Sequence, residues 1–223
     1  MIGKMENSVS RMAIFDLDYT LLDADSEKMW SNFMYAKKIV DKGFVLRIID
    51  YYQAYEKGEL DIVEYESFLL APLTQHPVEK LFKLRKQYLN QIRNVVRMNM
   101  LQRAHRFRSQ GFTLLLITAA NSFIAEPIAE MLHFDNVICT QVRKKGDQFT
   151  NELDGIPAFR EGKVQLLEQW LVEHQMDLAG SWGYSDSYND LPLLSKVENP
   201  VAVFPDPLLL SHALQNGWKV VTG

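Results

Sequence analysis

Ala13-Ile14-Phe15-Asp16-Leu17-Asp18-Tyr19-Thr20-Leu21-Leu22 is the stretch from which the fold can be read outward. The apolar run from Met12 to Phe15 has the length of a short buried strand, and two aspartates one residue apart follow where such a strand must stop. In an open α/β sheet, ligands bind in the crevice beyond the carboxyl ends of the strands, so charge at this end is placed for chemistry. Asp also ends many strands as a solvated turn residue, and Asp16 with Asp18 alone leaves turn and site evenly weighted. The other strand ends decide between them.

From about Met98 onward, apolar runs alternate with helical stretches, the signature of a parallel sheet wrapped by helices. Met98 to Gln110 reads as a helix stopped by Gly111, and Phe112 to Ile117 as a buried strand with Thr118 at its end. Ser122 to His133 is helical, with Asn121 or Ser122 as the cap and Pro127 a local cost, and Asn136 to Thr140 makes the next strand. Gln141 to Phe159 carries a Lys145-Gly146-Asp147 turn between extended pieces, which predicts a β-hairpin attached to the site-bearing edge. Glu161 to His174 is an amphipathic helix with Lys163 in its first turn, where the helix dipole disfavours a cation by up to about 1 kcal/mol unless an anion stands nearby. Gly180 to Tyr184 is a strand ending in Ser185-Asp186-Ser187-Tyr188-Asn189-Asp190, before a helix from near Leu191. Pro200 to Phe204 and Trp218 to Val221 read as outer strands, with a helix over Asp206 to Asn216 between them.

Residues 24 to 97 have no alternating strand pattern and are rich in Tyr, Lys, Glu and long aliphatic side chains at helical spacing. The chain therefore divides into a leader over 1–10, an α/β core over 11–23 and 98–223 with a doubly wound parallel sheet, and an inserted all-helical cap over 24–97. The 223 residues have room for both. With 47% hydrophobic and 23% charged residues and a net charge of -4, the composition is that of a soluble globular protein, with no reason to expect nucleic acid. Cys139 is the single cysteine, which excludes a disulfide framework and a clustered-cysteine zinc site and fits a reducing compartment. No apolar run approaches a membrane span and the first residues lack the apolar centre of a secretory signal, so a cytoplasmic protein with no membrane partner is expected.

Four features fall at strand ends or at a helix start of one sheet: Asp16 with Asp18, Thr118, Lys163, and Asp186 with Asp190. Two carboxylates about 4 Å apart repel by about 4 kcal/mol at an effective dielectric near 20, so several in one crevice call for a cation. Magnesium prefers hard oxygen ligands and is typically held by one or two carboxylates plus phosphate and water, which suits Asp16, Asp186 and the backbone carbonyl of Asp18. Thr118 adds a hydroxyl donor and Lys163 a fixed positive charge, both matched to phosphoryl oxygens.

On these residues the chain resembles the haloacid dehalogenase superfamily, in the branch similar to phosphoserine phosphatase. The first motif's aspartates fall on Asp16 and Asp18 and its flanking threonine on Thr20, the second motif's hydroxyl on Thr118, the third motif's lysine on Lys163, and the acidic fourth motif on Asp186 and Asp190. The helical segment between the first and second motifs is similar to that family's helical cap. The resemblance implies a two-step phosphoryl transfer: Asp16 attacks phosphorus and becomes an aspartyl phosphate, and Asp18 protonates the leaving group and then activates water. It implies that Lys163 neutralises charge on Asp16 and the phosphoryl group, that Thr118 with the amide of Ala119 holds phosphoryl oxygens, and that Asn189 touches the phosphate. Asp190 belongs to the acidic metal set with Asp16, Asp18 and Asp186, orienting metal-bound water or Lys163 more readily than binding metal directly. The second aspartate separates phosphatases from the dehalogenases, which lack it, and from the ion-pumping ATPases, which carry Thr there.

The substrate is expected to be a small phosphorylated metabolite. In phosphoserine phosphatases a Glu after the first motif and a cap arginine read the amino acid's ammonium and carboxylate. Asp25 is the best match for the first, and no arginine lies between Tyr51 and Val78 to match the second, although Arg47 or Arg85 could reach it. Lys144 and Lys145 sit at the hairpin turn and are expected to face solvent, and the five histidines are scattered. Three other readings stay open: a phosphotransferase using the same intermediate, a catalytically idle binding module, and a signalling receiver domain, against which the helical insert speaks. The oligomeric state is not encoded in any of these features.

Overall fold

The computed structural model describes residues 11–222; the leader expected over 1–10 lies outside the described residues. Met12–Phe15 forms strand β1, all four residues fully buried. The chain then enters helices α1 (Ser26–Ala36), α2 (Lys42–Glu56), α3 (Ile62–Leu70) and α4 (Val78–Ile92) before returning through α5 (Met98–Ser109). An aspartate begins each of the first three, because a carboxylate at the N-cap satisfies amides that the helix leaves free. Asp25 accepts from the Lys28 amide at 2.8 Å, Asp41 from Phe44 at 2.9 Å, and Asp61 from Val63 and Glu64 at 3.0 Å each.

The sheet resumes with β2 (Thr113–Asn121), α6 (Ser122–Met131) and β3 (Asn136–Thr140), followed by a hairpin of β4 (Val142–Lys145) and β5 (Gln148–Leu153). Helix α7 (Glu161–His174), β6 (Trp182–Ser185), the single turn α8 (Leu191–Leu194), β7 (Asn199–Val203), α9 (Pro207–Gln215) and β8 (Lys219–Val221) complete it. The six strands β3-β2-β1-β6-β7-β8 are all paired in parallel. The chain winds outward from β1 to β3 and then crosses to β6 on the other side, so the topological switch falls beside the carboxyl end of β1, where Asp16 begins.

Alternation sorts the sheet's two faces, as a period of two requires. Ala13 and Phe15 of β1 with Leu114 and Leu116 of β2 join the apolar cluster under α5 and the inserted helices, whereas Met12, Ile14, Leu115 and Ile117 join the one under α7. This is the doubly wound α/β fold that the sequence predicts. The first cluster continues without a break into the inserted helices: Trp30 of α1 lies 5.2 Å from Tyr88 of α4 and 5.5 Å from Phe123 of α6, ring centre to ring centre. The two segments linking the insert to the sheet also pair with each other, the Asp23 amide donating to the Val95 carbonyl at 2.7 Å and the Arg97 amide to that of Leu21 at 2.8 Å.

Three local readings of the sequence are corrected or extended by the structure. β2 does not stop at Ile117 but runs to Asn121, with its pairing to β3 shifted between Ile117 and Asn121, so Thr118 lies within an irregular strand end. Asn121 stands at the N-cap of α6, yet its side chain makes no capping bond; it turns to Glu27 instead. The hairpin forms as expected, but it braces α3 and the 3₁₀ turn after it (Ala71–Gln75), with Phe149 edge-on to Phe123 at 5.0 Å. Lys144 and Lys145 are exposed on it. No helix among the described residues is long and apolar enough to cross a membrane.

Gly162, in the first turn of α7, allows the helix to start against the preceding loop: a Cβ there would sit 2.1 Å from the Pro157 carbonyl oxygen. Backbone cannot be pushed aside as a side-chain tip can. Gly162→Ala is expected to lower stability by about 2 kcal/mol, within the range for overpacking a tight contact, read as a fall in melting temperature. An unchanged melting temperature would show that the loop yields freely.

Candidate active site

Asp16 leaves the end of β1 at the sheet's switch point, and its Oδ1 lies 2.7 Å from Lys163 Nζ. Lys163 also reaches both oxygens of Asp190, at 2.7 Å and 2.8 Å, and Asp190 Oδ2 further accepts from the Ser185 hydroxyl at 2.7 Å. All three ionic side chains are at least nine-tenths buried. Burial alone would depress the lysine, but the charges of Asp16 and Asp190 outweigh it and hold the ammonium above its ordinary range. Burial raises Asp16 to about 6 against the opposing pull of Lys163, with Asp190 adding to the rise. The cation that the helix dipole disfavours in the first turn of α7 is thus matched by two anions.

Asp18 is held from the inserted helices. Its Oδ1 accepts from the Ser26 amide at 2.8 Å and its Oδ2 from the Ser26 hydroxyl at 3.2 Å. Burial, then the charges of Asp25 and Asp16, push its carboxyl well above the usual range. Asp186, after β6, is likewise raised by burial and then by Asp16 and Asp190, and its Oδ1 accepts from Thr20 Oγ1 at 3.3 Å. Thr118 is buried, and its Oγ1 accepts from the Ala120 amide at 3.2 Å. The Ala119 carbonyl accepts from Thr140 Oγ1 at 2.7 Å, which fixes the irregular end of β2.

A cavity of about 380 Å³ joins these groups to the inserted helices. Asp16, Asp18, Thr118, Ala119, Lys163, Asp186, Asn189 and Asp190 all line it, and so does Asp25 beneath its capping role. No arginine does. Arg47 pairs with Glu64 on the surface, and Arg85 donates to the Phe123 carbonyl at 2.9 Å, so neither supplies the carboxylate reader sought in the sequence.

Several further residues complete the arrangement, Arg160 and Glu66 among them without any signal of their own in the sequence. Arg160 precedes α7 at φ 51°, a conformation that costs a non-glycine residue about 1–3 kcal/mol. Its Nε donates to Asn189 Oδ1 at 2.8 Å and its Nη2 to the Gly58 carbonyl at 3.3 Å, tying the fourth motif to the α2–α3 turn. Tyr55 of α2 shares a 3.0 Å hydrogen bond with Ser187 in the same motif. Glu27 of α1 accepts from the Asn121 amide at 2.9 Å and side chain at 2.6 Å, and Glu66 of α3 from that side chain at 3.2 Å. Only the fold brings these three residues together.

Among the described residues, no three His, Cys, Asp or Glu side chains are gathered to hold a metal by themselves. The donor set is nevertheless that of a hard cation: Asp16 and Asp186 are carboxylates raised by burial and, for Asp186, by the nearness of Asp16, and one lysine is the only cation within reach of either among the described residues. Two carboxylates, a backbone carbonyl and phosphate or water make a magnesium site without a third carboxylate.

The family model for haloacid dehalogenase-like hydrolases matches residues 13–195. A histidinol-phosphatase of Neisseria meningitidis is 35% identical over 96% of this chain and 99% of its own. The crystal structure of a Bordetella pertussis protein of unknown function superposes with a TM-score of 0.89 at 32% identity, covering 96% and 99% of the two chains. A substrate-bound phosphoserine phosphatase complex superposes at 0.69 over 95% and 92%, and at 15% identity it speaks for the fold alone. With its sheet, its insert and a family match from the first strand to the fourth motif, the chain belongs to the haloacid dehalogenase-like hydrolases.

Proposed function

We propose that the protein is a magnesium-dependent phosphatase that hydrolyses a small phosphomonoester through an aspartyl phosphate on Asp16. The observation that carries this reading is the contrast between two carboxylates at one strand end: Asp16 is paired with a buried ammonium, whereas Asp18 pairs with no cation among the described residues and has a carboxyl raised by burial. The first is suited to be a nucleophile and the second a proton donor, a division of labour that environment alone creates.

Asp16 attacks phosphorus, the bond to the ester oxygen breaks, and Asp18 gives its proton to the departing alkoxide. Water then attacks the phosphorus of the acyl phosphate, Asp18 takes its proton back, and the bond to Asp16 breaks to release phosphate. Lys163 keeps Asp16 ionised and, with the Thr118 hydroxyl and the Ala119 amide, faces the phosphoryl oxygens. Asp190 and Ser185 hold Lys163 in place, and Asn189 stands at the rim under the guanidinium of Arg160. Asp16, Asp186 and the Asp18 carbonyl would hold magnesium, which supplies charge neutralisation for the phosphoryl group when bound.

Residues 24–97 act in this reading as a cap over the core of 11–23 and 98–223. The Neisseria relative makes histidinol phosphate the first ester to test, ahead of phosphoserine, because no arginine faces the cavity. A cytoplasmic setting accords with the buried, lone thiol of Cys139.

Asp16→Asn is expected to abolish phosphate release from any ester, and Asp18→Asn to slow it at least about 10²-fold, the lower range of general acid–base effects. Steady-state phosphate release in magnesium checks both, and full turnover by Asp16→Asn would overturn the assignment.

A second expectation concerns metal-free protein. Asp16 at about 6 and Glu66 at about 8 bind protons in the folded state above the unfolded carboxylate range near 4. The folded state therefore holds more protons than the unfolded one between about pH 4 and 8, and stability falls as pH rises through that window. Thermal melts in chelator should show the melting temperature dropping from pH 5 to pH 8, and millimolar magnesium should reduce the drop. A melting temperature that rises over the same interval in chelator would contradict the burial of these carboxyls.

A further inference from the structure

Arg160 stands at the N-cap of α7, three residues before Lys163, in a backbone conformation (φ 51°, ψ -121°) that suits glycine. Its side chain neither caps the helix nor lines the cavity. It crosses instead to two other segments: Nε donates to Asn189 Oδ1 at 2.8 Å and Nη2 to the Gly58 carbonyl at 3.3 Å, with the guanidinium 4.8 Å from the centre of the Phe159 ring. Among the described residues no carboxylate forms an ion pair with it. A cation held by neutral acceptors polarises those acceptors.

The acceptor at Nε belongs to the cavity. Asn189 lines it along with Lys163 and Asp190, and its Nδ2 turns toward Ser187 Oγ at a long 3.5 Å. That hydroxyl also accepts from the Asn189 backbone amide at 3.2 Å and shares a 3.0 Å bond with Tyr55 of α2. A side-chain amide can turn over, exchanging its oxygen and its NH2 with almost no change of shape. A guanidinium carries five donors and no acceptor, so only the oxygen can face it and the turned amide is excluded. The NH2 is left for the other side, and a cation on the oxygen makes its N–H groups stronger donors.

We propose that Arg160 is a positioning residue for phosphate recognition: it fixes the Asn189 amide with its NH2 toward the phosphoryl group, and the α2–α3 turn, seated on the same guanidinium through Gly58, holds the arginine in place. One side chain thereby couples the seating of the inserted helices to the presentation of a phosphate donor. Without the guanidinium, the amide is free to turn its oxygen toward the phosphoryl oxygens, which repel it. This role rests on the phosphatase reading and adds to it a residue that acts without touching the substrate.

The test measures the inhibition constant of inorganic phosphate against p-nitrophenyl phosphate turnover in magnesium, a quantity that, unlike a rate, does not depend on how much of a preparation is folded. Arg160→Met keeps the reach of the stem and the backbone conformation of a non-glycine residue but donates nothing. It is expected to raise the constant at least about tenfold, the lower end for a hydrogen bond to a charged group, and Asn189→Ala to do the same. The double variant should stay within about threefold of Asn189→Ala alone, because residues that act through one contact are not additive. Amide hydrogen exchange over residues 57–61, the α2–α3 turn, should rise in Arg160→Met and stay unchanged in Asn189→Ala. A constant within about threefold of the unaltered protein in either single variant, losses that multiply in the double variant, or exchange of the turn unchanged by Arg160→Met would overturn this role while leaving a phosphatase. Failure of the unaltered protein to turn over p-nitrophenyl phosphate or histidinol phosphate would instead overturn the phosphatase reading on which the role rests.

Discussion

The ammonium of Lys163 between Asp16 and Asp190 is the contact on which the site depends. Burying a lone charge costs several kcal/mol even after relaxation, and removing one partner from a buried ion pair costs about 3–5 kcal/mol, so none of the three side chains is tolerable in this position without the others. The triad therefore fixes the relation of three elements: the end of β1, the first turn of α7, and the turn leading into α8. The same interaction divides the chemistry, because Asp16 lies within its reach and Asp18 does not. A pair of aspartates one residue apart is thereby given two electrostatic environments.

What was legible in the sequence follows from locality. β1 and β2 announce themselves as apolar runs, and Asp16, Asp18, Lys163, Asp186 and Asp190 could be singled out because a parallel sheet gathers its strand ends, so position along each segment implies position in space. The hairpin and the helical insert were likewise visible, one from its Gly146 turn and the other from helical spacing. The irregular end of β2 was not, since Thr118, Ala119 and Ala120 carry no turn residue; the strand continues there because Thr140 and Glu27, both distant in sequence, take up its backbone groups.

The far wall of the cavity was harder still. Glu27 stands where the first motif leaves for the inserted helices, which marks it for the cavity, but Glu66 and Asn121, which hold it from behind, lie on α3 and β2 and nothing in their local sequence separates them from ordinary helix and cap residues. Arg160 illustrates the opposite limit: its left-handed backbone would suit glycine, and its side chain's two bonds across to Asn189 and Gly58 explain why an arginine stands there. Helix propensity and hydrophobic pattern carry no information about such long-range polar contacts, which form only once packing has brought the elements together.

The central position of β1 bears on how the chain reaches this structure. Met12 pairs with Thr113 and Ala13 with Trp182, roughly one hundred and one hundred and seventy residues later. At ordinary synthesis rates of about 5–20 residues per second, the strand that bears Asp16 emerges roughly ten to thirty seconds before its second neighbour exists. Helices α1 to α4, whose backbone hydrogen bonds are local, can form in that interval, while the non-local strand pairing must wait. Asp16 is thus made well before the second of the strands that flank it, and its own strand is one of the last to be enclosed.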